Sequence, residues 1–251
     1  MTLIIARRGA ADVAPANSLA AIEQGIERGA DGVEVEVRLS RDAELVVIRE
    51  ARMPFVGPVP VPVEDLTLAE LKTIDIGAEQ QGFRGTRIST MAEIVDLLAG
   101  SEARLVIDVK EDPLHSEGAT PTAIAVAELV RACQLHERAT ITSTNHSSMA
   151  ALAIAHPQLQ IGLRHLVAVE AAAEYAVKHG ARSLHPIGVG AATADVSAAG
   201  EQNVAIIAST LVAEFWPISE EEQLNQLFAL GVDAVVTDSS GLALAQRKAH
   251  A

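Results

Sequence analysis

Short aliphatic runs alternate along this chain with longer stretches in which apolar residues recur every three or four positions, and the switching persists to the end. The short runs are LIIA (Leu3 to Ala6), GVEVEV (Gly32 to Val37), LVIDVK (Leu105 to Lys110), TITST (Thr140 to Thr144), QIGLRH (Gln160 to His165), RSLHP (Arg182 to Pro186), VAIIAS (Val204 to Ser209) and DAVVTD (Asp233 to Asp238). Their length and β-branched content are those of buried strands. Between them SLAAIEQGIERG, TAIAVAELVRACQLHE, SSMAALAIAH, VEAAAEYAVKHG and EEEQLNQLFALG carry helical periodicity, the first behind a cap at Asn17 and several closed by glycine.

Eight such strand–helix units predict an α/β fold, a TIM (β/α)8 barrel, with residues 1–251 forming one domain. One segment breaks the rhythm. RLSRDAELVVIRE reads as a β-hairpin insertion after the second strand, turning around Arg41 to Glu44 and carrying Arg49 and Glu50 back beside Glu34 and Glu36. The proline-rich MPFVGPVPVPVEDL that follows is stiff and extended, and leads into the helices LTLAELKTID and STMAEIVDLLA.

Composition narrows the picture. With 2% aromatic residues the core is built from Ala, Val, Leu and Ile, which suits helices packed on a parallel sheet. A formal charge of -14 repels phosphate polymers, so no nucleic-acid partner is expected and any phosphate site must be local. No apolar run approaches the roughly 18 to 20 residues of a membrane span, and a cytoplasmic protein is expected. The single cysteine, Cys133, has no disulfide partner in the chain and is expected as a buried helix spacer.

Barrel sites are built at strand C-terminal ends. A two-residue spacing puts Glu34 and Glu36 on the same face of their strand, and Asp108 and Lys110 share a face of the next. Three carboxylates around one axis suit a divalent cation, Mg²⁺ or Ca²⁺, with open positions for a phosphate. They equally suit a buried ion-pair network in which Arg7, Arg49 and Lys110 neutralise the acids without metal, and spacing does not choose between the two. Of the eight histidines, His115, His146, His165 and His185 fall at or after strand ends. His146 and His185 are the candidates for acid–base groups or for ligands of a softer metal such as Zn²⁺. Trp216 is expected to cover the barrel mouth.

Several motifs taken together resemble the glycerophosphodiester phosphodiesterase family. IIARRGA is similar to its I-A-H-R-G opening, APANSLAAIEQGIERGADGVEVEVRLSRDAELVVIRE to its P-E-N-T…A-D-x-x-E-x-D-V…L-V-V-x-H-D stretch, and EDLTLAELKTID to its D-L-T-L-A-E-L-K segment. LVIDVK falls where the family has a strand ending E-x-K, and FALGVDAVVTDSSGLA resembles its L-G-V-D-x-x-x-T-D-x-P. The resemblance implies a TIM barrel in which three carboxylates hold a divalent metal and two histidines act as general acid and base, releasing glycerol 3-phosphate and an alcohol.

Carried over residue by residue, it makes Arg8 a phosphate contact, Glu34, Glu36 and Asp108 the metal ligands, with Glu36 in place of an aspartate and Asp108 in place of a glutamate, and Lys110 and Trp216 substrate contacts. Both catalytic histidines are replaced, by Arg7 and Arg49. Glu50 takes the adjacent aspartate position and Ala16 that of a glutamate. A guanidinium does not exchange protons near neutral pH, so the standard two-histidine hydrolysis is not expected. What is expected is phosphodiester chemistry or binding of a small phosphorylated or phosphodiester ligand at the mouth; the alternative is a catalytically silent member binding an anionic ligand or protein partner. Arg7 and Arg49 are expected within reach of the three acids. Divalent metal would then bind weakly or not at all, and reversion of both to histidine would strengthen it.

Overall fold

The computed structural model describes residues 1–54, 59–111, 118–193, 196, 199, 202–211 and 218–250. Twelve strands are present among them: β1 (Leu3–Arg7), β2 (Gly32–Leu39), β3 (Leu45–Val47), β4 (Arg52–Met53), β5 (Val61–Pro62), β6 (Ser89–Thr90), β7 (Arg104–Val109), β8 (Ala139–Ser143), β9 (Gln160–His165), β10 (Ser183–Pro186), β11 (Ala205–Ser209) and β12 (Ala234–Thr237). Eight of them run parallel in the order β1-β12-β11-β10-β9-β8-β7-β2, and pairing of β1 with β2 closes the ring. This is a (β/α)8 TIM barrel with helices outside.

Period-two alternation sorts the strand residues. Ile5, Val106, Ala234 and Val236 pack together inside the ring. Outward-facing Ile4, Val33, Val35, Ile107, Ile141, Leu163 and Val235 join the helices in the larger core. The expected hairpin is β2–β3, antiparallel with Val37 opposite Val47. Ser40 Oγ accepts from the amide of Glu44 across its turn, and Ala43 takes the left-handed conformation. β6 adds to β3, and β4 and β5 form a separate two-residue ribbon.

Three local expectations are corrected. Ser18, not Asn17, caps the helix Leu19–Glu27, its Oγ accepting from Ala21 N at 3.1 Å. Asn17 is left-handed and is recruited to the site instead. Within LTLAELKTID only Leu68–Leu71 is helical: a Thr67/Glu70 capping box starts it, and the chain then turns where Asp75 accepts from the amides of Gly77 and Gly85. Cys133 is exposed rather than buried, because the helix Pro121–Ala132 ends one residue before it. No helix among the described residues is long and apolar enough to cross a membrane.

Candidate functional site

β2 and β7 are adjacent and parallel, with Glu34 opposite Val106 and Glu36 opposite Asp108. All three acids point into the mouth of the ring and are buried. Two cations bridge them. Lys110 Nζ lies 2.6 Å from Asp108 Oδ2 and 2.9 Å from Glu36 Oε1. Arg164, on β9 across the ring, places Nη1 2.9 Å from Glu34 Oε2 and 3.0 Å from Asp108 Oδ2. Asp108 Oδ2 therefore takes both cations, while the other oxygen of Glu34, Oε1, is buried with no hydrogen-bond partner among the described residues.

Charge follows the geometry. Burial raises the pKa of Glu34, aided by Asp108 and Glu36 and opposed by Arg164. Glu36 moves the other way: burial would raise it, but Lys110, Arg8 and the Asn17 amide together hold its carboxyl below the usual range. Asn17 Nδ2 donates to Glu36 Oε2 at 3.3 Å, and Asn17 Oδ1 accepts from the Glu36 amide at 3.2 Å.

Arg7 is not among these acids. Its Nη2 donates to Asp238 and its Nη1 to the carbonyl oxygen of Thr210 at 2.6 Å. Glu34, its register neighbour on β2, holds Arg164 instead, and Asp238 just past β12 takes Arg7. Arg8 donates to the second oxygen of Asp238 at 2.8 Å. Burial would lower the Arg8 pKa, but Asp238, Glu36 and Glu34 outweigh it and raise it. Arg8 and Gly9 are consecutive left-handed residues, and Gly9 is obligatory: a Cβ there would lie 2.4 Å from the backbone of Ala21. The Thr210 that receives Arg7 is itself fixed by Glu220, whose carboxylate also takes the hydroxyls of Thr237 and Ser239.

Arg49 returns on the hairpin as expected, but loosely, with Nε 3.9 Å from Glu36 Oε1 and 63% of its side chain exposed. It borders a cleft of about 440 Å³, shared with Arg8, Ala16, Asn17 and Glu50. A cavity of about 650 Å³ at the opposite end, lined by Gln160, Arg182 and Asp233, gathers no comparable cluster of cations.

The two candidate histidines are occupied away from the acids. His146 begins the helix His146–Ala155, with Nε2 2.8 Å from the Arg164 carbonyl oxygen and Nδ1 3.1 Å from the Tyr175 hydroxyl. His185 faces the barrel interior opposite Arg164, bonded to Ser183 Oγ at 2.9 Å. Burial, with Arg164 and His165 adding to it, depresses its pKa to about 3, so it is neutral. Among the described residues neither lies in a group of three metal-ligating side chains such as a Zn²⁺ site needs. His165 faces outward, its Nδ1 2.9 Å from the Val167 carbonyl oxygen. His115 and Trp216 lie outside the described residues.

Sequence reasoning missed Arg164, Asp238 and Glu220. The signal for Arg164 was present in QIGLRH, where alternation from Gly162 puts the arginine, not His165, on the inner face.

The sequence profile of the Glycerophosphoryl diester phosphodiesterase family matches residues 8–242. The chain belongs to this family. A glycerophosphodiester phosphodiesterase of Caldanaerobacter subterraneus subsp. tengcongensis is 29% identical over 238 residues, 94% of each chain. Among solved structures, the glycerophosphodiester phosphodiesterase of Agrobacterium tumefaciens superposes with a TM-score of 0.78 at 22% identity, covering 98% of this chain and 100% of the other. A phosphodiesterase of Oleispira antarctica, solved in complex with sn-glycerol-3-phosphate, superposes at 0.81 with 20% identity, covering 99% and 97%.

Members of the glycerophosphoryl diester phosphodiesterase family are typically dependent on a divalent metal. The residues present here do not fit one. A cation such as Ca²⁺ needs oxygens at roughly 2.3 to 2.6 Å around a single point. Here the positions between the acid oxygens are taken by Arg164 Nη1 and Lys110 Nζ. No group of three or more His, Cys, Asp or Glu is arranged to hold a metal among the described residues.

Proposed function

We propose that this family member binds the phosphoryl group of a small phosphorylated or phosphodiester molecule at the barrel mouth, and that hydrolysis by a histidine pair is not its chemistry. The cleft lined by Arg8 and Arg49 beside Asn17 carries this reading. Two guanidinium groups at its edge offer forked donors that match phosphate oxygens, and Arg49 has donors left over because its contact to Glu36 is long. Of the nearby carboxylates, Glu34, Glu36 and Asp108 do not cancel this, since Lys110 and Arg164 already balance most of their charge. Lys110 is tied to two acids and Arg8 gives Nη2 to Asp238, so Arg49 is the principal residue offered to the ligand, with Arg8 beside it. The Oleispira protein of the same fold holds sn-glycerol-3-phosphate, a molecule of the chemistry and size this cleft suits.

Against hydrolysis stands proton transfer. Each general acid or base contributes typically 10²- to 10⁴-fold, and arginine supplies neither role. Arg7, at one of the two positions, is locked to Asp238, and His146 and His185 are bonded elsewhere.

Calorimetric titration with sn-glycerol 3-phosphate and an assay of glycerophosphocholine hydrolysis test both halves. The wild type is expected to bind the former, to lose about tenfold or more in affinity in Arg49→Ala, and to release no choline above background. No binding of either glycerol 3-phosphate or inorganic phosphate would overturn the first half. Robust turnover would overturn the second.

A further inference from the structure

We infer that Arg164 is a resident cation: its guanidinium fills the place between Glu34 and Asp108 that a divalent ion would take, so this barrel carries the axial positive charge as part of the chain and takes no metal. The inference concerns metal alone and stands independently of the ligand reading above.

The placement is built from several elements. Arg164 is 6% exposed and comes from β9, three strands around the ring from β2. Its Nη1 meets one oxygen of each acid at 2.9 and 3.0 Å, and Nη2 lies 3.4 Å from Ser209 Oγ on β11. From the outside its backbone carbonyl is held by His146 Nε2. Inside the ring, His185 sits beside it in register, and that ring has room only because residue 162 has no side chain: a Cβ on Gly162 would lie 2.3 Å from His185 Nε2. The guanidinium thus meets two carboxylates from β2 and β7, while a neutral imidazole stands beside Arg164 in register on β10, a geometry set by four strands.

Electrostatics point the same way. Burying three carboxylates without positive charge costs several kcal/mol per ion, so something cationic must lie among them. Lys110 satisfies Glu36, Arg164 satisfies Glu34, and the two share Oδ2 of Asp108. A metal could enter between Glu34 and Asp108 only by displacing Nη1, exchanging one charge for another while leaving a guanidinium buried beside it. Without the Arg164 side chain, the same space would be bordered by oxygen donors: Glu34, including its Oε1, Asp108, Ser209 Oγ and Thr142 Oγ1, which is opposite Asp108 in register and, like Glu34 Oε1, has no hydrogen-bond partner among the described residues. Hard oxygen donors of that kind are what Mg²⁺, Ca²⁺ and Mn²⁺ select.

The test is calorimetric titration of chelator-treated full-length protein with Mn²⁺, Ca²⁺ and Mg²⁺, paired with thermal melts in EDTA and in each metal. The wild type is expected to show no saturable binding and a melting temperature unchanged by metal. Arg164→Ser is expected to melt lower in EDTA, to regain part of that loss on adding metal, and to bind one ion per chain at least about tenfold more tightly than wild type. Adding Asp108→Asn to Arg164→Ser should abolish the gain, and Arg164→Lys should remain insensitive to metal. One divalent ion bound per wild-type chain and lost in Asp108→Asn would overturn the inference, as would an Arg164→Ser protein that folds and gains no metal response. If Arg164→Ser does not fold, the wild-type and Arg164→Lys titrations decide, because saturable metal binding by either sinks the idea.

Discussion

Arg7 donates to the carboxylate of Asp238, on the far side of its strand from Glu34, the acid opposite it in register. Asp238 thereby serves two mostly buried guanidinium groups, with Arg8 on its other oxygen, and their hydrogen bonds and charges hold its carboxyl below the usual range although burial opposes this. Asp238→Ala would remove the carboxylate that both arginines hydrogen-bond and is expected to destabilise the fold by about 2–4 kcal/mol, a buried-pair cost reduced for partial exposure. Asp238→Asn keeps an acceptor and should cost less. Urea midpoints of the two variants check the order, and equal losses would contradict it.

The same displacement of Arg7 changes what reversion can achieve. Arg7→His combined with Arg49→His restores the family's residue types, yet leaves Arg164 and Lys110 on the acids. The double variant is therefore expected to bind Ca²⁺ and Mg²⁺ no better than wild type. Appreciable affinity should appear only when Arg164→Ser is added. Tight binding by the double variant alone would return the controlling role to Arg7 and Arg49.

Acid sensitivity follows from His185. Its folded pKa is about 3 against an ordinary 6.5. Between those values the unfolded chain takes up a proton that the folded chain refuses, so stability falls as pH drops below 6.5. The slope from this one group is at most about 1.4 kcal/mol per pH unit. Glu36 and Asp238, whose pKa values are lowered, add losses only in the more acidic carboxylate range, whereas Glu34, raised, gains on acidification above its ordinary value and partly offsets His185. Unfolding free energies measured from pH 7 to 5 should fall, and His185→Gln should flatten the curve. A variant curve parallel to wild type would rule out His185 as the source.

Gly162→Ala tests the packing beneath Arg164. The new Cβ would lie 2.3 Å from His185 Nε2 and 2.8 Å from Ser183 Oγ. Overpacking of this kind costs about 1–3 kcal/mol. Combining it with His185→Ala removes the clash with the imidazole, though not the one with Ser183 Oγ, so the two changes should be less than additive in a double-mutant cycle. Additive losses would show that Gly162 does not exist to seat the imidazole.

The barrel was legible in the chain because its strands are short buried runs whose period and order allow few alternatives. The inward pair Glu34 and Glu36, and Asp108 with Lys110, also followed from period two. What did not follow was partner choice. Arg7 turns to Asp238 while Glu34 takes Arg164, whose strand lies far away in sequence, a pairing that alternation along a single strand does not specify. The histidines misled for a related reason: a position at a strand end leaves open whether the side chain meets the cleft, as none of His146, His165 and His185 does, or is taken up by a neighbouring carbonyl or hydroxyl. Asn17 looked like a helix cap because its residue type suits one, yet Ser18 beside it does that work.

The Arg7 and Arg8 clasp on Asp238 has a temporal consequence. It joins the first strand to the last, whose pairing starts with Leu3 opposite Ala234, and β1 has no barrel neighbour other than β2 on its remaining side. During synthesis one edge of β1 stays open until almost the whole described chain has been made, and its two arginines wait unpaired for the same interval. Ring closure is thus a late event of biogenesis, dominated by the loop-closure entropy of a contact between distant residues. Protease sensitivity of ribosome-bound nascent chains should persist until β12 emerges and then drop in one step.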